Sequence, residues 1–119
     1  MSRPHPARDP GTANQYAIYD TDYTGSPSGI APVGTPALGA GLWGQLDLAG
    51  ELTEWGLDWY AKYVTPCTDC ALLTGSYSKR VLRGGAYLNG NANIEPPERD
   101  EFAPRFREPN VGFRCARTP

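Results

Sequence analysis

Gly41-Leu-Trp-Gly-Gln-Leu-Asp-Leu-Ala-Gly-Glu-Leu-Thr-Glu-Trp-Gly-Leu-Asp-Trp59 carries every tryptophan of the chain, Trp43, Trp55 and Trp59, and no basic residue. Large rings need a core to bury in, and Gly44, Gly50 and Gly56 let the backbone turn or approach closely between them. Three of the stretch's four acids, Asp47, Glu51 and Glu54, sit around the glycines between Trp43 and Trp55. Asp47 and Glu54 stand seven residues apart across the turn. Their carboxylates can converge on one hard cation while backbone carbonyls fill the gaps. The same acids also read as solvated turn residues beside an aromatic core, and a short acidic motif does not by itself separate the two readings.

Working outward, the chain has 119 residues, the length of one domain, which buries about two-thirds of its unfolded surface on folding. The net charge of −2 leaves no basic stripe for nucleic acid and no attraction to anionic membranes. Fourteen glycines and twelve prolines argue against long regular elements, while seven tyrosines are too many for a disordered chain. A loop-rich, ordered domain is expected. No stretch has the length of a membrane-spanning helix. Residues 1–13 read as a polar, proline-broken tail without the apolar core of a signal peptide.

Cys67-Thr-Asp-Cys70 can be half a zinc site, a redox dithiol or a small disulfide loop. Zinc needs two further ligands, and the only other candidates are Cys115 and His5 in the leader. Thr65-Pro66 ahead of the pair suggests a loop rather than a thioredoxin-like helix start. The favoured reading is a local disulfide formed in an oxidising compartment.

Period-two patterning predicts short extended pieces over Asn14–Asp20, Ala31–Gly34, Trp43–Leu46 and Leu52–Trp59, the second as an edge because of its proline. Residues 61–78 read as a polar connection. Arg80–Tyr87 reads as a strand ending at the glycine pair 84–85. Val111, Phe113 and Cys115 alternate with Gly112, Arg114 and Ala116, which predicts a strand paired antiparallel with Val81–Arg83. Residues 89–110, with prolines at 96, 97, 104 and 109, read as a surface loop.

Four blocks carry a resemblance: Ala31-Pro-Val-Gly34, Gly41-Leu-Trp-Gly-Gln-Leu-Asp-Leu-Ala-Gly-Glu-Leu-Thr-Glu-Trp55, Arg80-Val-Leu-Arg-Gly-Gly-Ala-Tyr87 and Gly112-Phe-Arg-Cys-Ala-Arg117. In this order they resemble the sulfatase-modifying factor family, the formylglycine-generating enzyme and its relatives. The second block is similar to the family's G-L-Y-D-M-x-G-N-V-W-E-W and the third to its R-V-x-R-G-G-S-W. The resemblance implies an α+β, C-type-lectin-like fold, loop-rich with short antiparallel strands. It further implies that residues 14–117 are the C-terminal part of a domain at least twice as long, and so incomplete.

The resemblance also implies sites. One structural calcium would take the side chains of Asp47 and Glu54 and the carbonyls of Gly50 and Leu52. Asp47 stands where the family has an amide, Glu51 where it has asparagine and Thr53 where it has tryptophan. For a second family calcium, Asn14 and Gln15 match the first half, but residues 25–28 lack the acid, leaving Asp20 or Asp22 as substitutes. The second site is not expected to form. The family's oxidase binds Cu(I) through two cysteines, and here those positions are Asn89 and Ile94, which neither bind that soft ion nor exchange thiols. No copper is expected. The family's final-block cysteine commonly pairs with one upstream, and Cys115 has no evident partner. Arg83 and Arg114 read as braces for loop carbonyls or carboxylates.

The reading is therefore a degenerate, non-catalytic family domain: an extracytoplasmic binding or structural module with one calcium, presenting residues 89–110 to an unidentified protein or small ligand. The alternative is a truncated formylglycine-generating enzyme or related oxidoreductase whose catalytic groups lie outside this chain.

Overall fold

Leu52 to Trp59, predicted as extended, forms the central strand of the molecule. In the computed structural model, which describes residues 14–68 and 70–118, β1 is Thr53–Trp59, β2 Arg80–Arg83, β3 Asp100–Phe102 and β4 Val111–Gly112. The tail expected over residues 1–13 lies outside the described residues. One sheet takes the order β3-β2-β1-β4. β1 and β2 are antiparallel, with Glu54 opposite Arg83 and Trp55 opposite Leu82, and a register shift before the Trp59–Arg80 pair. Gly56 sits at that irregularity, packed against Val81. β3 adds antiparallel to β2 through Arg80–Phe102, Val81–Glu101 and Leu82–Asp100.

The closing strand pairs differently from the sequence expectation. β4 lies parallel to β1, with Thr53 beside Val111 and Glu54 beside Gly112. The edge of β2 predicted to receive it is occupied by β3. Alternation marks a strand but not its partner, and here the choice of edge and direction is set by the Ala103–Asn110 connection, which crosses from one side of the sheet to the other. The strand also ends at Gly112, leaving Phe113 77% exposed. The segment predicted as a loop over residues 89–110 holds β3 and a 3-10 turn, Asn91–Ile94, whose Ile94 is buried.

Ala31–Gly34 is a turn rather than an edge strand, closed by Thr35 N–H to the Pro32 carbonyl. Trp43–Leu46 likewise forms no strand. Trp43 is 82% exposed, against the expectation that its ring lies in a core. Of Asn14–Asp20 only Ile18 pairs, in a single parallel bridge with Gly50. Ile18 and Leu82 are fully buried, with Ala31, Val81, Ala86, Tyr87 and Ile94 nearly so. Burying a side chain of the size of Ile18 or Leu82 stabilises by about 1.5–3 kcal/mol. The core thus lies where β1, β2 and the Gly84-Gly85 turn meet the Ile18 segment. No helix among the described residues is long and apolar enough to cross a membrane.

Candidate functional site

The turn that feeds β1 is held in a conformation few residues adopt. Asp47, Gly50 and Glu51 have φ of 56°, 75° and 63°. For the two non-glycine residues this left-handed backbone costs about 1–2 kcal/mol each. The surroundings supply the compensation. Gly50 N–H donates to the Gly84 carbonyl at 2.7 Å, Glu51 N–H to Ile18 at 2.8 Å, and Tyr87 N–H to the Glu51 carbonyl at 2.9 Å. The turn therefore ties its own block to the Arg80–Tyr87 block and to the Ile18 segment.

Each acid has a different environment. Asp47 Oδ2 accepts the Gly34 N–H at 2.9 Å, while Oδ1 is buried with no hydrogen-bond partner among the described residues. Glu54 receives Arg114 in a two-pronged ion pair, Nη2 to Oε1 at 2.7 Å and Nε to Oε2 at 3.0 Å. The same guanidinium donates to the Asp47 carbonyl at 3.2 Å. Arg114 thus touches both ends of the turn, and Asp47 and Glu54 lie on one side of the molecule. The hydrogen bonds that Arg114 donates to Glu54 raise the Arg114 pKa, outweighing a smaller opposing effect of burial, with the charges of Glu54 and Asp47 adding to the rise.

Glu51 is the residue that sequence reasoning undervalued. Its side chain is buried and takes the Ala31 N–H at 3.0 Å on Oε1 and 3.4 Å on Oε2, tying the Ala31–Gly34 block to the turn. Burial pushes its pKa above the ordinary 4.5, the Ala31 hydrogen bond pulls it back, and the Asp47 charge adds to the rise. The signal in the sequence was a long carboxylate between glycine-flanked apolar residues. It read as extra negative charge because nothing local showed that Ala31 would arrive beside it.

The oxygen donors at this turn suit a hard dication such as calcium. Asp47 Oδ1, a buried acceptor without a donor, is the feature that a bound cation would satisfy. No group of three or more His, Cys, Asp or Glu side chains converges among the described residues. A cation here would therefore draw on backbone carbonyls as well. Asn14, which the resemblance sets in a second site, also has a buried Oδ1 without a hydrogen-bond partner among the described residues, whereas Asp20 and Asp22 are exposed.

Asn89 and Ile94, which the resemblance sets against the family's copper cysteines, are part of the framework. Asn89 Oδ1 accepts the Ala86 N–H at 2.7 Å and its carbonyl accepts the Asp20 N–H at 2.8 Å. Ile94 is 2% exposed, and a methyl group on Gly85 would strike it. Cys67 and Cys70 form a disulfide, and Cys115 is free and exposed. Arg83 donates to the Pro96 carbonyl at 2.9 Å, a brace of the expected kind.

A short mixed sheet, few helices and long ordered loops define a C-type-lectin-like fold. The model of the sulfatase-modifying factor enzyme 1-like domain matches residues 5–119, and the chain belongs to that family. It is 35% identical over 83 residues to a formylglycine-generating enzyme of Streptomyces coelicolor, an alignment covering 66% of this chain and 26% of the enzyme. Among solved structures, Treponema denticola variable protein 1 superposes with a TM-score of 0.68 at 29% identity, over 83% of this chain and 34% of that one. The match thus takes in only a quarter to a third of either relative, 26% and 34%.

Proposed function

We propose that this domain is a non-catalytic, calcium-stabilised member of its family, working as a binding or structural module outside the cytoplasm. The observation that carries the non-catalytic reading is the use made of Asn89 and Ile94. One holds a turn through its amide and the other fills the core. The disulfide at Cys67–Cys70 supports the oxidising compartment.

Calcium would be held by the Asp47 carboxylate, the Gly50 and Leu52 carbonyls and the Glu54 carboxylate. Glu54 has lone pairs enough to accept Arg114 and a cation together. The ion would neutralise the buried Asp47 oxygen and fix the turn that aligns β1. The side chains of this chain supply the charge and the backbone supplies the shape. In this reading residues 89–110 present a surface to a protein or small ligand.

A second reading rests on the 35% identity to a formylglycine-generating enzyme: oxidoreductase activity whose catalytic groups lie outside these residues. Titration with Cu(I) tests the non-catalytic reading. A tight stoichiometric complex lost on Asn89→Ala would overturn it, and weak binding is the expected result. For calcium, a concentration about a hundredfold above Kd adds about 2.7 kcal/mol of stability, a rise of several degrees in Tm. Glu54→Gln should abolish most of that rise. A Tm indifferent to calcium, or a rise unchanged in Glu54→Gln, would remove calcium from the proposal.

A further inference from the structure

Beyond the acidic turn, described residues between Ala61 and Leu72 line a cleft of about 730 Å³ together with the β1–β2 pair. That volume is in the range of small-molecule sites. Gly56 and Val81 line its strand side. Its aromatic lining comes from Trp59, Tyr63 and Tyr77, and the Cys67–Cys70 disulfide contributes to the wall.

The charge in this cleft is one-sided. Lys62, Arg83 and Arg99 line it against the single described carboxylate of Asp58, and Asp58 Oδ2 already accepts the Leu72 N–H at 3.3 Å. The two arginines are positioned by neutral acceptors. Arg83 donates to the Pro96 carbonyl at 2.9 Å and to the Tyr63 hydroxyl at 3.0 Å, and Arg99 to the Ala61 carbonyl at 2.8 Å. Arg99 also stacks over the Tyr63 ring at 3.7 Å. These contacts orient the guanidinium groups without cancelling their charge. Among the described residues the ion pairs are Lys79–Glu101 and Arg114–Glu54, so none of the three cations meets a carboxylate.

Planar guanidinium groups fixed beside aromatic faces recognise flat ligands bearing a carboxylate: the rings stack and the forks take the anion. We propose that this cleft is a binding site for a small aromatic carboxylate, its ring held among Trp59, Tyr63 and Tyr77 and its anion by Arg83, Arg99 and Lys62. The proposal is independent of the calcium reading, because the two sites share no residue.

The test is isothermal titration of the whole chain with sodium 2-naphthoate and, separately, with uncharged 2-naphthamide. Saturable one-site binding of the carboxylate is expected, with the amide about tenfold weaker and the carboxylate weakening as salt is raised. Arg99→Gln should weaken naphthoate about tenfold and leave naphthamide unchanged. Should Arg99→Gln fail to fold, Lys62→Gln at an exposed position decides the matter, and it should weaken naphthoate in the same selective manner. Absence of saturable naphthoate binding, equal affinity for acid and amide, or binding indifferent to every foldable cation substitution would overturn the proposal.

Discussion

The two ends of β1 solve opposite electrostatic problems. In the turn before Thr53, Asp47, Glu51 and Glu54 crowd together, with Arg114 pinned across Glu54 and the Asp47 carbonyl. Toward Trp59, a cleft is lined by Lys62, Arg83 and Arg99 and, among the described residues, by one carboxylate, Asp58, which accepts the Leu72 N–H. The acidic end is held by close backbone contact, Gly50 lying against Ile18. The basic end is held by long side chains reaching loop carbonyls. Charge left unopposed at each end therefore falls to a different kind of partner. A cation would complete the acidic turn, and an organic anion the basic cleft.

The largest expected effect breaks the backbone contact. A Cβ at residue 50 would lie 2.2 Å from the Ile18 carbonyl oxygen, at a φ of 75°. Gly50→Ala should therefore cost about 3 kcal/mol or more in chemical denaturation. Gly90→Ala, which meets nothing within 4 Å at a φ of −72°, should stay within about 0.5 kcal/mol. Equal losses at the two positions would deny the acidic turn its structural priority.

Arg114→Met comes next. The pair is partly exposed, with side-chain exposures of 37% and 25%, so its removal should cost about 1 kcal/mol, measured with a chelator present. Arg99→Gln, whose partners are carbonyls and rings, should show no comparable dependence of stability on salt. A salt effect of similar size at both ends would erase the distinction drawn here.

The smallest effect is carried by Glu51. Its folded pKa lies above the unfolded value, so its contribution to stability is fully present below 4.5 and lost as pH rises through the folded pKa. Glu51→Gln keeps an oxygen for the Ala31 N–H and removes the ionisation. The difference in Tm between variant and parent should move in favour of the variant from pH 4.5 toward neutrality. A difference independent of pH would show that Glu51 is as well solvated as any surface acid.

The blocks that carry the family resemblance were legible without coordinates because they are local. The turn before β1 places Gly50 at a positive φ against Ile18, β2 leads into Gly84-Gly85, and Arg114 stands two residues beyond Gly112 in the closing block. Other readings failed because they depended on distant partners. Trp43 was assigned to a core by its size, yet no segment among those described covers it. The strand at Val111 was recognised from alternation but given the wrong neighbour, since a period of two says nothing of which edge is free. Glu51 was passed over because its burial comes from Ala31, twenty residues earlier in the chain.

By itself the sequence determined the family, the central strand that became Thr53–Trp59 and the local Cys67–Cys70 disulfide, all of which depend on residue identity and short spacing. Only the tertiary structure decided that β4 runs parallel to β1, that Arg114 spans the acidic turn, and that three cations gather around one cleft. Those outcomes depend on which remote segments meet, and contact between remote segments is settled by packing and chain connection rather than by any local pattern.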